Sequence, residues 1–191
     1  MSNRSGVAQA GEYQFKECRI KSSSGAKFNI AERLIVSMSF YESIFSNTFN
    51  GLIEIVDTAN LPTNLPITGQ DFFEIKLITP GIEGESIIDH VFVINQILSR
   101  RDVSTGAQSY VFSLVSPESF RNNRTRVSAS FTDVNSNIVK NVMRDLNLIA
   151  SNKDIFIEKT NGLRKHIVPN LRPFDFIRRL TRESTSAKSN N

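Results

Sequence analysis

Alternating apolar and polar positions dominate the front of this chain, most densely over residues 34–77. In the first run Leu34, Val36, Met38 and Phe40 alternate with Ile35, Ser37 and Ser39. In the last, Phe73, Ile75 and Leu77 alternate with Phe72, Glu74 and Lys76. A period of two is what a pleated strand with one drier face requires. The middle run, 49–56, is apolar on both sides apart from Gly51 and Glu54, so both faces are expected to meet protein. A strand over 13–20, a turn at 21–25 and a short strand or bend over 28–30 precede this stretch. After it come a breaker-rich turn at 80–84, one long strand over 86–100 and a return strand over 108–115. In the long strand Ile88, Phe92, Ile94 and Leu98 are assigned to one face and Ile87, Val91, Val93 and Ile97 to the other. Six or seven strands in about 105 residues, joined by short turns, predict an antiparallel β-barrel or sandwich.

The pattern changes at Ser116-Pro117. A single helical turn is expected over 117–120 and a short strand over 127–131. Ile138, Val139, Val142, Met143 and Leu146 form a helical stripe over 135–149, with Asp133 or Asn135 available as its cap. Asn161-Gly162 between 154–159 and 164–168 reads as a hairpin turn. Pro173 opens a last helix with Phe174, Ile177 and Leu180 on one face, Asp175 near its start and Arg178, Arg179 and Arg182 near its end. The fold class is therefore mainly β with an α+β part. The expected organisation is a flexible N-terminus at 1–11, a β domain at 12–115, a small α+β domain at 116–184 and a polar tail at 185–191 that reads as cut or disordered.

Two connections stand out. The loop over 42–48 is polar except for Ile44 and Phe45, which either fold back onto the barrel or insert into a neighbouring subunit. With Phe49 they are the candidate subunit-interface residues. The loop over 58–70 holds Pro62, Pro66 and Gly69, and Leu61, Leu65 and Ile67 are expected to pin it to the sheet.

Composition narrows the chemistry. At 191 residues the chain can bury a sizeable core without a metal or disulfide staple. Its 14 Phe and absent Trp suit sheet cores and sheet-to-sheet contacts. The single Cys18 precludes an internal disulfide and reads as a small buried hydrophobe, compatible with a reducing cytoplasm. The first residues lack the apolar core of a signal peptide, and no run is long enough to span a membrane. His90 and His166 have no second ligand at metal spacing, and strand neighbours Asp89 and His90 point to opposite faces. No nucleophile elbow or glycine-rich phosphate loop is present, and Glu83 and Glu85 flank a turn glycine. Neither an enzyme nor a cofactor is expected. The net charge of +4 comes from late clusters at 121–126 and 164–182. Arg121, Arg124 and Arg126, with Asn122 and Asn123, lack the interleaved aromatics of a single-strand binder and read as a domain-junction salt-bridge cluster or a contact for an acidic neighbour. A basic nucleic-acid-binding module and a receptor- or carbohydrate-binding tail protein are the alternative readings.

The run Tyr41-Glu42-Ser43-Ile44, Gly51-Leu52-Ile53-Glu54-Ile55-Val56-Asp57, Leu65-Pro66-Ile67-Thr68-Gly69-Gln70 and Phe73-Glu74-Ile75 resembles the first tube domain of baseplate hub proteins from contractile-tailed bacteriophages. Ser130-Phe131, Ser136-Asn137-Ile138-Val139, Ile167-Val168-Pro169-Asn170 and 173–180 resemble the segment that follows there, and its counterpart in phage late-control proteins and type VI secretion spike bases. The resemblance covers residues 13–183. It implies a virion structural protein in the tail baseplate, assembled in the host cytoplasm, that caps the tail tube and joins it to the central spike. It implies β-barrel tube domains paired edge to edge around a lumen, in trimers whose two tube domains per chain imitate a sixfold ring. The implied partners are further copies of the chain, the tail tube protein, the central spike protein and baseplate wedge proteins, with DNA or tape measure protein near the lumen. Only one tube-like domain is visible, so either the chain is the front of a longer hub or six copies complete a ring.

Overall fold

The structure, a computed structural model, describes residues 13–58, 68–79 and 87–188. It divides into two compact units, Met1–Ser116 and Pro117–Asn191. The apolar positions assigned above to the loop over 58–70, the 80–84 turn and the N-terminal 1–11 segment lie wholly or largely outside the described residues.

The first unit is a single antiparallel sheet of β1 (Gln14–Lys21), β2 (Lys27–Asn29), β3 (Ile35–Tyr41), β4 (Asn50–Asp57), β5 (Phe72–Ile78), β6 (Ile87–Ser104) and β7 (Ala107–Val115), in the order β2-β1-β5-β6-β7-β4-β3. β2 and β3 are neighbours in sequence yet lie at opposite margins. Residues 30–34, including the 3-10 turn Glu32–Leu34, join them. Laid flat, the sheet would separate its margins by about 29 Å, six spacings of about 4.8 Å. The connection reaches at most about 22 Å when fully extended. The sheet is therefore forced to curl, which makes it a half-barrel. Its concave face collects the core: Ile20 from β1, Ile53 and Ile55 from β4, Phe73 and Ile75 from β5, Phe92 and Ile94 from β6, Phe112 and Leu114 from β7.

β4 shows the expected alternation with a difference between its faces. Gly51, Ile53, Ile55 and Asp57 are buried, whereas Leu52, Glu54 and Val56 on the other face are half-buried. β6 departs from the face assignment made for 86–100. Its register slips between Ile94 and Gln96 and again between Ile97 and Ser99. Bulges of this kind break strict alternation. Before the first slip Phe92, Val93 and Ile94 are buried in succession, while Ile88, Val91, Ile97 and Leu98 remain exposed.

The second unit contains α1 (Pro117–Arg124), β8 (Val127–Val134), α2 (Asn135–Arg144), β9 (Leu163–Leu171) and α3 (Pro173–Arg182). β8 and β9 pair antiparallel. α2 and α3 cover the pair through Ile138, Val142, Phe176 and Leu180, packed on Val127 and Val168. Four expectations need correcting here. The expected single turn at 117 is a two-turn helix, α1. The Asn161-Gly162 turn is real, with Gly162 at φ +83°, but 154–159 is not a strand, and β9 turns to β8 instead. α2 stops at Arg144, where Asp145 takes extended angles, and Leu146 lies exposed beyond it. Neither predicted cap acts as one. Val134 is the N-cap residue and makes no side-chain cap bond. Asp133 Oδ1 accepts from the Val134 amide at 2.7 Å and from Asn137 Nδ2 at 3.1 Å. The expected tail also holds structure: Ser186 bridges to Thr160, and the Ala187 amide donates to the Lys159 carbonyl at 2.9 Å.

Candidate assembly surface

Serine hydroxyls shape the β3–β4 connection locally. The Ser46 amide donates to the Ser43 carbonyl at 3.0 Å, closing a tight turn with Ile44 and Phe45 at its two central positions. The Phe45 amide donates to Ser43 Oγ at 3.2 Å, and Ser46 Oγ donates to the Thr48 carbonyl at 2.9 Å. A turn held by its own backbone leaves its central side chains pointing outward. Ile44 is 93 % and Phe45 88 % exposed, so neither folds back onto the barrel. Phe49 is placed differently. Its ring packs against His90 at 4.8 Å, Phe92 at 5.3 Å and Phe40 at 5.7 Å between centroids, and it adjoins the unit's own core. The structure thus brings Ile44 and Phe45 together at a tip and turns Phe49 inward.

The margins of the sheet are the second feature. Among the described residues β3 pairs only with β4, and its outward side chains Val36 and Tyr41 are exposed. β6 is far longer than β5. It pairs with β5 only through 87–93, and the Ile94 amide then donates to the Asp71 carbonyl at 2.9 Å. From 96 to 104 its ladder is with β7 alone. Among the described residues no backbone bond reaches that stretch from the other flank. Ile97, Leu98 and Val103 are exposed along it. Sequence reading missed this flank, which lacks a backbone partner among the described residues, although the length difference between the two predicted strands signalled it.

Titratable groups elsewhere serve packing. Burial pushes the Cys18 thiol up to about 12, which keeps it protonated and unreactive. Burial also works to raise the Glu118 carboxyl, but the backbone bond, the Lys153 ammonium and Ser151 together hold it below its ordinary value. Glu118 accepts from Ser151 Oγ at 2.9 Å and from Lys153 Nζ at 3.1 Å, tying α1 to the segment after α2. The buried His166 shares a 2.8 Å hydrogen bond with Asn135 Oδ1. Asn135 Nδ2 in turn donates to Ser184 Oγ at 2.9 Å. No group of three or more metal-ligating side chains occurs among the described residues. Nor is any helix among them long and apolar enough to cross a membrane.

The arginine group in the last turn of α1 and just beyond it is spent locally and is not a salt-bridge cluster among the described residues. Arg121 donates to the Leu146 carbonyl at 3.0 Å, Arg124 lies 4.6 Å over the Phe120 ring, and Arg126 donates to the Thr125 carbonyl at 2.9 Å. Asn122 Oδ1 accepts the Phe174 amide at 2.8 Å, at the start of α3. Charge is nonetheless divided between the units. Met1–Ser116 carries nine Lys and Arg against twelve Asp and Glu, a net −3; Pro117–Asn191 carries fourteen against seven, a net +7.

No family model matches the sequence, and no curated protein matches it significantly. Solved structures do share the fold. One is the E. coli c3393 protein, a component of the type VI secretion system described as structurally similar to the T4 bacteriophage tail proteins gp27 and gp5. It matches with a TM-score of 0.51 and 12 % identity over 89 % of this chain and 42 % of its own. Another is a chain of the Francisella PdpA–VgrG complex, with a TM-score of 0.56 and 11 % identity over 93 % of this chain and 26 % of its own. The chain thus spans less than half the length of either.

Proposed function

We propose that this protein is a structural subunit of a phage-type tail: a baseplate hub component that links the tail tube to the central spike and works by assembly without catalysis. The observation that carries the reading is the unfinished margin of the curled sheet, fronted by the apolar Ile44–Phe45 tip. Open strand margins are templates for pairing with another chain, and natural monomers cover, shorten or charge them. Two adjacent large apolar side chains on a rigid tip are likewise costly to leave in water. The fold shared with a secretion-system component and with a chain of a spike complex supports the same role. Copies of the chain form the ring, as trimers if a second tube domain belongs to the chain and as hexamers otherwise. The tail tube protein, the central spike and wedge proteins are the further partners, in the virion baseplate.

The test is the mass of the purified full chain across concentration, with Phe45→Asp beside it. The expected result is a closed oligomer with interfaces on the order of 2,000 Å², and a variant that stays a soluble, folded monomer. A wild-type chain that remains monomeric at every concentration overturns the assembly reading. A Phe45→Asp chain that still assembles removes the tip from it.

The +7 charge of the second unit favours one other reading, a polyanion-binding module, whose test is given below.

A further inference from the structure

Residues 154–158, Asp-Ile-Phe-Ile-Glu, belong to no helix, strand or turn. Their exposure nevertheless alternates: Ile155 and Ile157 are half-buried, while Asp154, Phe156 and Glu158 are exposed, Phe156 at 94 %. A period of two identifies an extended chain lying with one side on its own unit. Among the described residues, none of its backbone amides or carbonyls is hydrogen-bonded. This is a strand in everything but a partner.

The free flank of β6 at 96–104 offers what the segment lacks. It is nine residues long, has no backbone partner on that side among the described residues, and exposes Ile97 and Leu98. It also carries Arg100 and Arg101. Arg100 donates to Gln108 at 3.1 Å and lies over Tyr110, and Arg101 donates to Ser99 at 3.2 Å; neither has a carboxylate partner among the described residues. Asp154 in turn has no basic partner there, and Glu158 accepts only the Ser186 hydroxyl. Of the two sheet margins, β3 contains no Lys or Arg to answer these acids, and β2 is three residues long with Lys27 alone. We infer that residues 154–158 of one copy add as an antiparallel strand to this flank of β6 in a second copy, with Asp154 meeting Arg100 and Phe156 covering Ile97 and Leu98. Strand addition of this kind draws affinity from the backbone ladder and specificity from the alternate side chains. The inference rests on the assembly reading above and names the second contact of that assembly.

The test mixes full chains carrying Phe156→Cys with differently tagged chains carrying Leu98→Cys under mild oxidation. The buried Cys18 remains silent. A disulfide joining the two tags is expected, and it should be absent when the exposed Leu146→Cys replaces Phe156→Cys. Phe156→Asp should raise the concentration needed for assembly by about tenfold or more. Arg100→Glu should do likewise and be rescued by Asp154→Lys. Assembly that persists with no cross-link and no effect of Phe156→Asp overturns this inference and leaves the assembly reading standing. A wild-type chain that never assembles overturns both.

Discussion

Gly51 stands opposite Phe40 in the β3–β4 ladder, and a Cβ built on it would lie 2.9 Å from Cδ1 of that ring and 3.2 Å from the Ser39 carbonyl oxygen. The ring cannot simply swing aside, because it is stacked between Phe49 and Phe92, with centroids at 5.7 and 5.4 Å. Gly51→Ala should therefore destabilise the first unit by about 1–3 kcal/mol, the usual cost of overpacking, read as a lowered urea midpoint. Ile44 and Phe45 behave oppositely. Their exposure means that Phe45→Asp should leave stability within about 0.5 kcal/mol while changing the state of association. The sequence singled these two out as apolar residues in a polar loop but left open whether they fold back, because that depends on the turn closed by the Ser46 amide and the Ser43 carbonyl. The inward turn of Phe49 was not legible, since it depends on His90 and Phe92 arriving from β6.

Glu118 links two elements, α1 and the segment after α2, and the link is sensitive to acid. Its folded-state pKa is lowered, so the stabilisation is present above the unfolded value of about 4.3 and is lost as pH falls through the folded value. Glu118→Gln should cost about 1–3 kcal/mol at pH 7, and the difference from wild type should shrink as pH falls below the unfolded value, as measured by denaturant unfolding at neutral and acid pH. Lys153 is more than half exposed, so its own removal should cost less. At this scale the strands of the first unit were mostly readable from their period of two. The second unit was read less well, for a definite reason. Asn161-Gly162 announces that the chain reverses but not which strand receives it, and β9 found its ladder with β8 across the intervening helix α2. On α3, Phe176 is buried beside the expected Phe174 and Leu180, because that helix is pressed by both α2 and the strand pair.

For the molecule as a whole, the uneven charge bears on which partner the second unit meets. A polyanion-binding module would hold duplex or single-stranded nucleic acid through phosphate contacts, with affinity falling steeply as salt rises. Under the assembly reading, binding to a duplex probe in about 150 mM salt should be no tighter than the non-specific range of about 10⁻⁴–10⁻⁶ M, and nuclease treatment should leave the oligomer's mass unchanged. Submicromolar affinity, or an oligomer that dissolves with the nucleic acid, would favour the other reading.

The five residues between β2 and β3 act as a drawstring on the wall they close. Their number sets how tightly the two hems are gathered, and hence the radius of the arc. Under the assembly reading, adding or removing residues there would alter the bore that a set of such arcs would enclose, while leaving every ladder within each arc intact.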